Sequence, residues 1–188
     1  MPPAFAVAEL AAATAPLQAA AAAPGLRWES RERWHLTMAF LGEVGEDKLT
    51  GLQIRLERAA SRHPQQLLAF TGGGAFPRPH RARVLWAGVQ CDRSALSRLA
   101  ASVAAGARRA GAPPPDEARK YHPHLTLARC SPPADVAELA SGLAGFTGTP
   151  WLADSICLMH SQLSGGAPRY HTVASWPLRR APAGEPRH

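Results

Sequence analysis

Trp34-His35-Leu36-Thr37-Met38-Ala39-Phe40-Leu41-Gly42 is the stretch that decides how this chain reads. Its core, His-Leu-Thr-Met, returns as His124-Leu125-Thr126-Leu127. Side chains on a strand alternate between faces, so a histidine and a threonine two apart point the same way. Leu36 and Met38 then point to the other face, as do Leu125 and Leu127. Each copy predicts a strand with a polar face suited to proton transfer over an apolar underside. One His-x-Thr alone is weak, because a strand histidine is most often satisfied by backbone groups and threonine favours strands anyway. The repetition, with apolar residues at matching positions, raises the pair above that background.

Outward from the first copy, Gly42 to Gly45 reads as a turn. Glu46 to Arg62 carries Leu49, Leu52 and Leu56 at helical spacing, with Glu46 and Asp47 in the first turn, where the helix dipole favours acids. Leu67 to Phe70 reads as a strand and Gly72-Gly73-Gly74 as a flexible break. That break is no phosphate loop, for it lacks a Gly-Lys-Ser/Thr ending. Before the second copy, Arg83 to Val89 predicts a strand, and Ser94 begins a helix through Leu96, Leu99 and Val103 that ends near Gly111. Pro113-Pro114-Pro115 reads as an extended linker. Tyr121 to Ala128 is the second motif strand, and Val136, Leu139 and Leu143 mark a third helix. Trp151 to His160 and Tyr170 to Trp176 read as closing strands around a Gly165-Gly166 turn. At the start, Ala4 to Ala8 predicts a short strand and residues 10–22 an Ala-rich helix stopped by Pro24-Gly25, followed by a strand at Leu26 to Trp28.

The order motif strand, turn, helix, strand occurs twice, at 34–70 and 121–160, as an internal duplication would produce. Strands and helices at this spacing predict an α+β fold of two similar lobes. Pseudo-twofold symmetry between the lobes would set the two His-x-Thr faces opposite each other. Residues 1–178 read as a single bilobal domain and the Pro-rich, charged residues 179–188 as a flexible tail.

The chain has 188 residues, 46% of them hydrophobic, which suits one domain or two small lobes. A formal charge of +7 favours an acidic partner such as nucleic acid. Lys48 and Lys120 are the only lysines and there is no long basic block, so a general arginine bias accounts for the charge about as well. Cys91, Cys130 and Cys157 are scattered and unpaired in spacing, which fits a reducing cytoplasm. The Ala-rich start has no basic residue before Arg27 and is interrupted by Glu9 and Pro16, so it reads as structure and neither as a targeting peptide nor as a membrane span.

Imidazole titrates near neutral pH, so one neutral histidine can take a proton while a protonated partner gives one. Displacement at phosphorus favours attacking and leaving oxygens roughly in line, with an acid and a base on either side of the phosphate. Thr37 and Thr126 can donate to the non-bridging oxygens, and Arg129 is the nearest fixed cation. His122-Pro123-His124 also admits zinc, although no Asp or Glu pattern completes such a site and Arg119, Lys120 and Arg129 surround it. Arg169-Tyr170 can reach the same place, with Tyr170 either stacking on a base or packing in the core. His63, His80, His160, His171 and His188 read as surface or packing residues. Trp34, Trp86, Trp151 and Trp176 read as core.

On His35-Leu36-Thr37-Met38-Ala39-Phe40-Leu41-Gly42-Glu43 and Tyr121-His122-Pro123-His124-Leu125-Thr126-Leu127-Ala128-Arg129, the chain resembles the 2H phosphoesterase family. Within it, the chain is most similar to the bacterial and archaeal RNA 2′,3′-cyclic phosphodiesterases, also described as 2′-5′ RNA ligases. Phe5-Ala6-Val7, Arg83-Val84-Leu85-Trp86 and Arg169-Tyr170 extend the likeness over residues 4–178. The resemblance implies a bilobal α+β fold, with antiparallel sheets lining a central cleft and helices outside. It also implies hydrolysis of a nucleoside or RNA 2′,3′-cyclic phosphate to a 2′-phosphomonoester, without metal or other cofactor.

By motif position the resemblance makes His35 the proton donor to the leaving 3′ oxygen and His124 the acceptor that activates water. Symmetry by itself permits either order. Thr37, Thr126 and Arg129 would hold the phosphate, and His122, Arg169 and Tyr170 are further candidate contacts. The implied partner is an RNA or nucleotide ending in a cyclic phosphate, met by a cytoplasmic monomer that needs no membrane. Two alternatives stay open: action on 2′-5′ linkages, including ligation, and a non-catalytic module that binds RNA ends. The Ala-rich N-terminal helix and the short Gly/Thr-rich segment 145–150 depart from the family pattern.

Overall fold

The Ala-rich start folds as one helix, α1 (Ala4–Ala20), where a strand followed by a helix was expected. A short apolar run does not by itself distinguish strand from helix, and alanine has the highest helix propensity of any residue. In this computed structural model, residues 1–21, 23–112, 121–162 and 169–180 are described. After α1 come β1 (Leu26–Trp28), α2 (Glu46–Arg62), β2 (Gln66–Phe76), β3 (Ala82–Gln90), α3 (Arg93–Arg109), β4 (His124–Ala134), α4 (Ala137–Gly142), β5 (Trp151–Ala153), β6 (Ser155–Gln162) and β7 (Arg169–Pro177). One sheet has the order β1-β4-β3-β2-β5, and β6 and β7 form a second. The pairings β1–β4, β2–β3, β3–β4 and β6–β7 are all antiparallel. The fold is α+β, as expected.

The chain divides into two compact units. The second comprises residues 38–66, 92–121 and 152–188. Its helices follow from their sequences. Leu52, Leu56, Ala59 and Ala60 form the buried stripe of α2. Leu96, Leu99, Val103 and Ala107 form that of α3. The Asp92 carboxylate caps α3 by accepting the Ala95 N–H at 2.9 Å, satisfying a donor that the first turn leaves open. The expected strand from Trp151 to His160 is broken at Asp154 into β5 and β6, which belong to different sheets. Arg179, placed in the tail by its composition, is pinned: its N–H donates to His63 and its carbonyl accepts from Gln65. Pro113 to Pro115, Gly165-Gly166 and residues 181–188 lie outside the described residues. Among the described residues no helix is long and apolar enough to cross a membrane.

The first unit comprises residues 1–37, 67–91 and 122–151 and contains both His-x-Thr copies. Its centre is β4, where Leu125, Leu127 and Ala128 are fully buried against Leu85 and Ala87 of β3. The three glycines expected to break the chain lie inside β2. Gly72 takes φ 57° and is the extra residue of a bulge between Thr71 and Gly73, a conformation that glycine reaches without steric cost. Gly74 pairs with Trp86, and a Cβ there would sit 2.3 Å from the indole ring. Gly74 therefore leaves the room that the Trp86 ring occupies against the strand.

Two substitutions test this placement by urea denaturation. Gly74→Ala drives a methyl into Trp86 and is expected to destabilise by about 1–3 kcal/mol, the usual cost of overpacking. Gly51→Ala, in α2 with open space at the Cβ position, is expected to stabilise by about 0.5–1 kcal/mol. Equal effects at the two positions would refute the account of Gly74.

Candidate active site

Arg129 stands five residues after His124, so in a regular strand the two would face opposite sides. They do not, because β4 carries a bulge. Trp86 pairs with Thr126 while the adjacent Leu85 pairs with Ala128, which leaves Leu127 as the extra residue. The alternation is reset there. Val84, Trp86 and Gly88 share one face of β3, and their partners Arg129, Thr126 and His124 share it with them. The opposite face carries the buried leucines.

The first copy is not a full strand from Trp34 to Leu41, as its alternation predicts. It meets β4 through a single antiparallel bridge, Leu36 to Leu125, after a 3-10 turn at Arg31–Arg33. Trp34 is buried and anchors the segment, in line with its expected place in the core. Continuing the antiparallel register one residue to each side sets His35 across from Thr126 and Thr37 across from His124. Each histidine thus faces the other copy's threonine, and a local twofold through the leucine bridge relates the copies.

Both imidazoles are held in the same way. His35 Nδ1 lies 2.6 Å from the carbonyl oxygen of Arg33, and His124 Nδ1 lies 2.7 Å from that of His122. A carbonyl can only accept, so each Nδ1 carries the proton and donates it. Nε2 is then the nitrogen of each ring whose proton can come and go, an acceptor in the neutral form and a donor in the charged form. The same link to the residue two before recurs in both copies. It was not anticipated from the sequence, because any residue can supply a carbonyl.

Burial pushes the His124 imidazole below its ordinary value, and the nearby charges of His122, Arg129 and His35 push it the same way. The bond to the His122 carbonyl opposes the shift without overcoming it. His124 is therefore set to be neutral, with an available lone pair, near neutral pH. Its ring packs edge-on against Phe76, with centroids 5.0 Å apart. Trp86, expected in the core, lies half-buried on this face, 5.0 Å from the His122 ring.

Arg129 is half-exposed, and its Nε donates to Glu29 Oε1 at 3.1 Å. The other carboxylate oxygen of Glu29 takes Arg33 Nη1, also at 3.1 Å. Glu29 thus ties the arginine after the second motif to the residue whose carbonyl holds His35. Sequence reasoning singled out neither Glu29 nor Arg33, because no motif surrounds them.

The other candidates are placed as follows. His122 shares the aromatic cluster, its ring centroid 6.2 Å from that of His124. Tyr170 belongs to β7 of the second unit, opposite Ser161. Arg169 pairs with Gln162 at the end of β7, and its side chain lies outside what is described. His80 makes an exposed pair with Asp135 at 3.0 Å, and His63 lies 2.7 Å from Ser102. Among the described residues no three His, Cys, Asp or Glu side chains form a group that could hold a metal ion.

An α+β chain with two His-x-Thr copies related by a local twofold falls in the class of 2H phosphoesterases. The family model of the 2′-5′ RNA ligase superfamily matches residues 6–165, and the chain belongs to that superfamily. It is 39% identical over 98 residues, 52% of the chain, to an RNA 2′,3′-cyclic phosphodiesterase of Aeropyrum pernix. It is 30% identical over 144 residues, 77% of the chain and 75% of the relative, to the Escherichia coli protein of the same name. The chain spans about half the length of the curated relatives matched first, 53% for Aeropyrum pernix and 56% for Archaeoglobus fulgidus. A crystal structure of E. coli LigT complexed with 3′-AMP superposes with a TM-score of 0.71 at 25% identity, covering 94% of this chain and 92% of that one.

The downward shift of His124 has two measurable consequences. Its NMR titration midpoint is expected below about 6.5, and to move up in Arg129→Gln, which removes a neighbouring cation. A depressed value in the folded state means that the unfolded chain binds this proton first as pH falls. Stability is thus expected to decline from about pH 6.5 downward through the folded-state value, and His124→Asn should lose that part of the decline. A midpoint at or above the ordinary histidine value would contradict both.

Proposed function

We propose that this chain hydrolyses RNA or nucleoside 2′,3′-cyclic phosphates to 2′-phosphomonoesters without metal. The observation that carries the reading is the matched anchoring of His35 and His124 through Nδ1, which makes Nε2 the proton-transfer nitrogen of each ring. The names of the relatives and the 3′-AMP complex of LigT support the same substrate class. Neutral His124 takes a proton from water through Nε2 as the water oxygen attacks phosphorus. The bond from phosphorus to O3′ breaks on the opposite side, and His35 gives its Nε2 proton to O3′. The 2′-phosphomonoester and a free 3′-hydroxyl result, and the two histidines exchange protonation states. Thr37, Thr126 and Arg129 donate to the non-bridging oxygens, where negative charge grows. The lowered value of His124 supports the base role for it, which motif symmetry alone leaves open. Three scattered cysteines fit action in the cytoplasm.

The superfamily's description as 2′-5′ RNA ligases favours a second reading, in which the same groups act on a 2′-5′ linkage. A panel of 2′,3′-cyclic phosphates and 2′-5′ oligomers, with 2′- and 3′-monophosphates resolved among the products, decides between them.

His35→Ala and His124→Ala are each expected to lower kcat/KM on a nucleoside 2′,3′-cyclic phosphate at least 10²-fold, within the range for positioned acids and bases. Full activity in either variant refutes the mechanism. A substrate with sulfur in place of O3′ expels a thiolate that needs no proton. It should restore turnover in His35→Ala and not in His124→Ala, and the reverse pattern would exchange the two roles. EDTA is expected to leave the wild-type rate unchanged.

A further inference from the structure

The face of the sheet that carries His124, Thr126 and Arg129 continues onto β1. There Arg27 is the direct antiparallel partner of Arg129, and Glu29, two residues on, shares its face. Like charges placed directly opposite each other on a sheet are destabilising. The Glu29 carboxylate does not remove the conflict. Glu29 spends one oxygen on Arg129 and the other on Arg33. Among the described residues Arg27 makes no ion pair, and it is exposed on the edge strand of the sheet. Two arginines share that carboxylate, and Arg27, outside both pairs, faces solvent beside the phosphate-handling arginine.

We propose that Arg27 binds the phosphodiester on the 5′ side of the nucleotide whose cyclic phosphate meets His124, Thr126 and Arg129. This inference rests on the function proposed above and extends it to the substrate's length. An RNA with a terminal 2′,3′-cyclic phosphate carries its next phosphate one nucleotide toward the 5′ end, whereas a nucleoside cyclic phosphate has none. Paired strand residues lie about 4.5–5.5 Å apart at Cα, and two long arginine stems starting there can reach successive phosphates. An anion between Arg27 and Arg129 relieves the repulsion that the register imposes. Because β1 is an edge strand, the RNA leaves the site over its open side without displacing a neighbouring strand. Arg27 is accordingly a specificity residue, distinguishing an RNA end from a mononucleotide.

The test compares ApA bearing a terminal 2′,3′-cyclic phosphate with adenosine 2′,3′-cyclic phosphate. The quantity read is the ratio of kcat/KM for the first substrate to that for the second. Arg27→Ala is expected to lower this ratio roughly tenfold, as loss of one charge-assisted phosphate contact does. The slope of log(1/KM) for ApA cyclic phosphate against log salt concentration should become shallower by about 0.7, the amount released per single-strand phosphate. Arg58→Ala, which removes an exposed charge from α2, is expected to keep the wild-type ratio. An unchanged ratio in Arg27→Ala, or an equal fall in Arg58→Ala, overturns the proposal while leaving the hydrolytic reading intact. A wild-type chain that hydrolyses neither substrate, with both histidines present and the fold intact, overturns the hydrolytic reading itself.

Discussion

One cross-strand contact, Leu36 against Leu125, governs the geometry of the candidate site. Leucines there carry no chemistry, but an antiparallel bridge has a local twofold, and whatever flanks it is repeated with inverted direction. His35 and Thr37 flank one leucine, and His124 and Thr126 flank the other. Burial of Leu125 holds β4 in register, and the side chains two apart are carried to the other face by the pleat alone. Slipping the pairing by one residue would turn every one of these groups into the core.

The second constraint is the bulge at Leu127. Without it, Arg129 would share the buried side of β4 with Leu125, where an unpaired guanidinium would have a large desolvation penalty. With it, the apolar run through Leu127 and Ala128 stays inside while Arg129 emerges next to Thr126. Glu29 then fixes the arginine by its Nε, leaving the terminal nitrogens of the fork for other acceptors. The same carboxylate reaches Arg33, whose backbone carbonyl sets the tautomer of His35. A charged side chain and two backbone carbonyls thus arrange the groups proposed to carry the reaction. None of the three would itself touch the reacting atoms.

Much of this was legible in advance, because it depends on local pattern. The helices α2 and α3 announced themselves through leucines three and four apart, and β3 through alternation. The paired motifs marked His35, Thr37, His124 and Thr126 as candidates without any structure. What went astray did so where a local signal had two physical readings. Ala4 to Ala8 is apolar enough for a strand, yet joins a helix with the alanines that follow it. Gly72 to Gly74 looks like a break, yet supplies a bulge and the space under Trp86. Trp86 looked like core because tryptophan usually is, and its position on the site face follows from its pairing with Thr126.

By itself, the sequence determined that a His-x-Thr pair occurs twice with a leucine between its members, and hence that an extended backbone sets the two polar side chains of each copy on one side. That follows from the period of an extended backbone, which needs no partner to define it. Only the tertiary structure decided that the copies lie side by side in one unit. It also decided that Arg129 joins them across a bulge, that Glu29 and Arg33 brace them, and that Arg27 stands opposite Arg129. Each of these depends on register between strands distant in the chain. Pairing of that kind is set by the whole buried face at once, and no single residue in a strand records which partner it will meet.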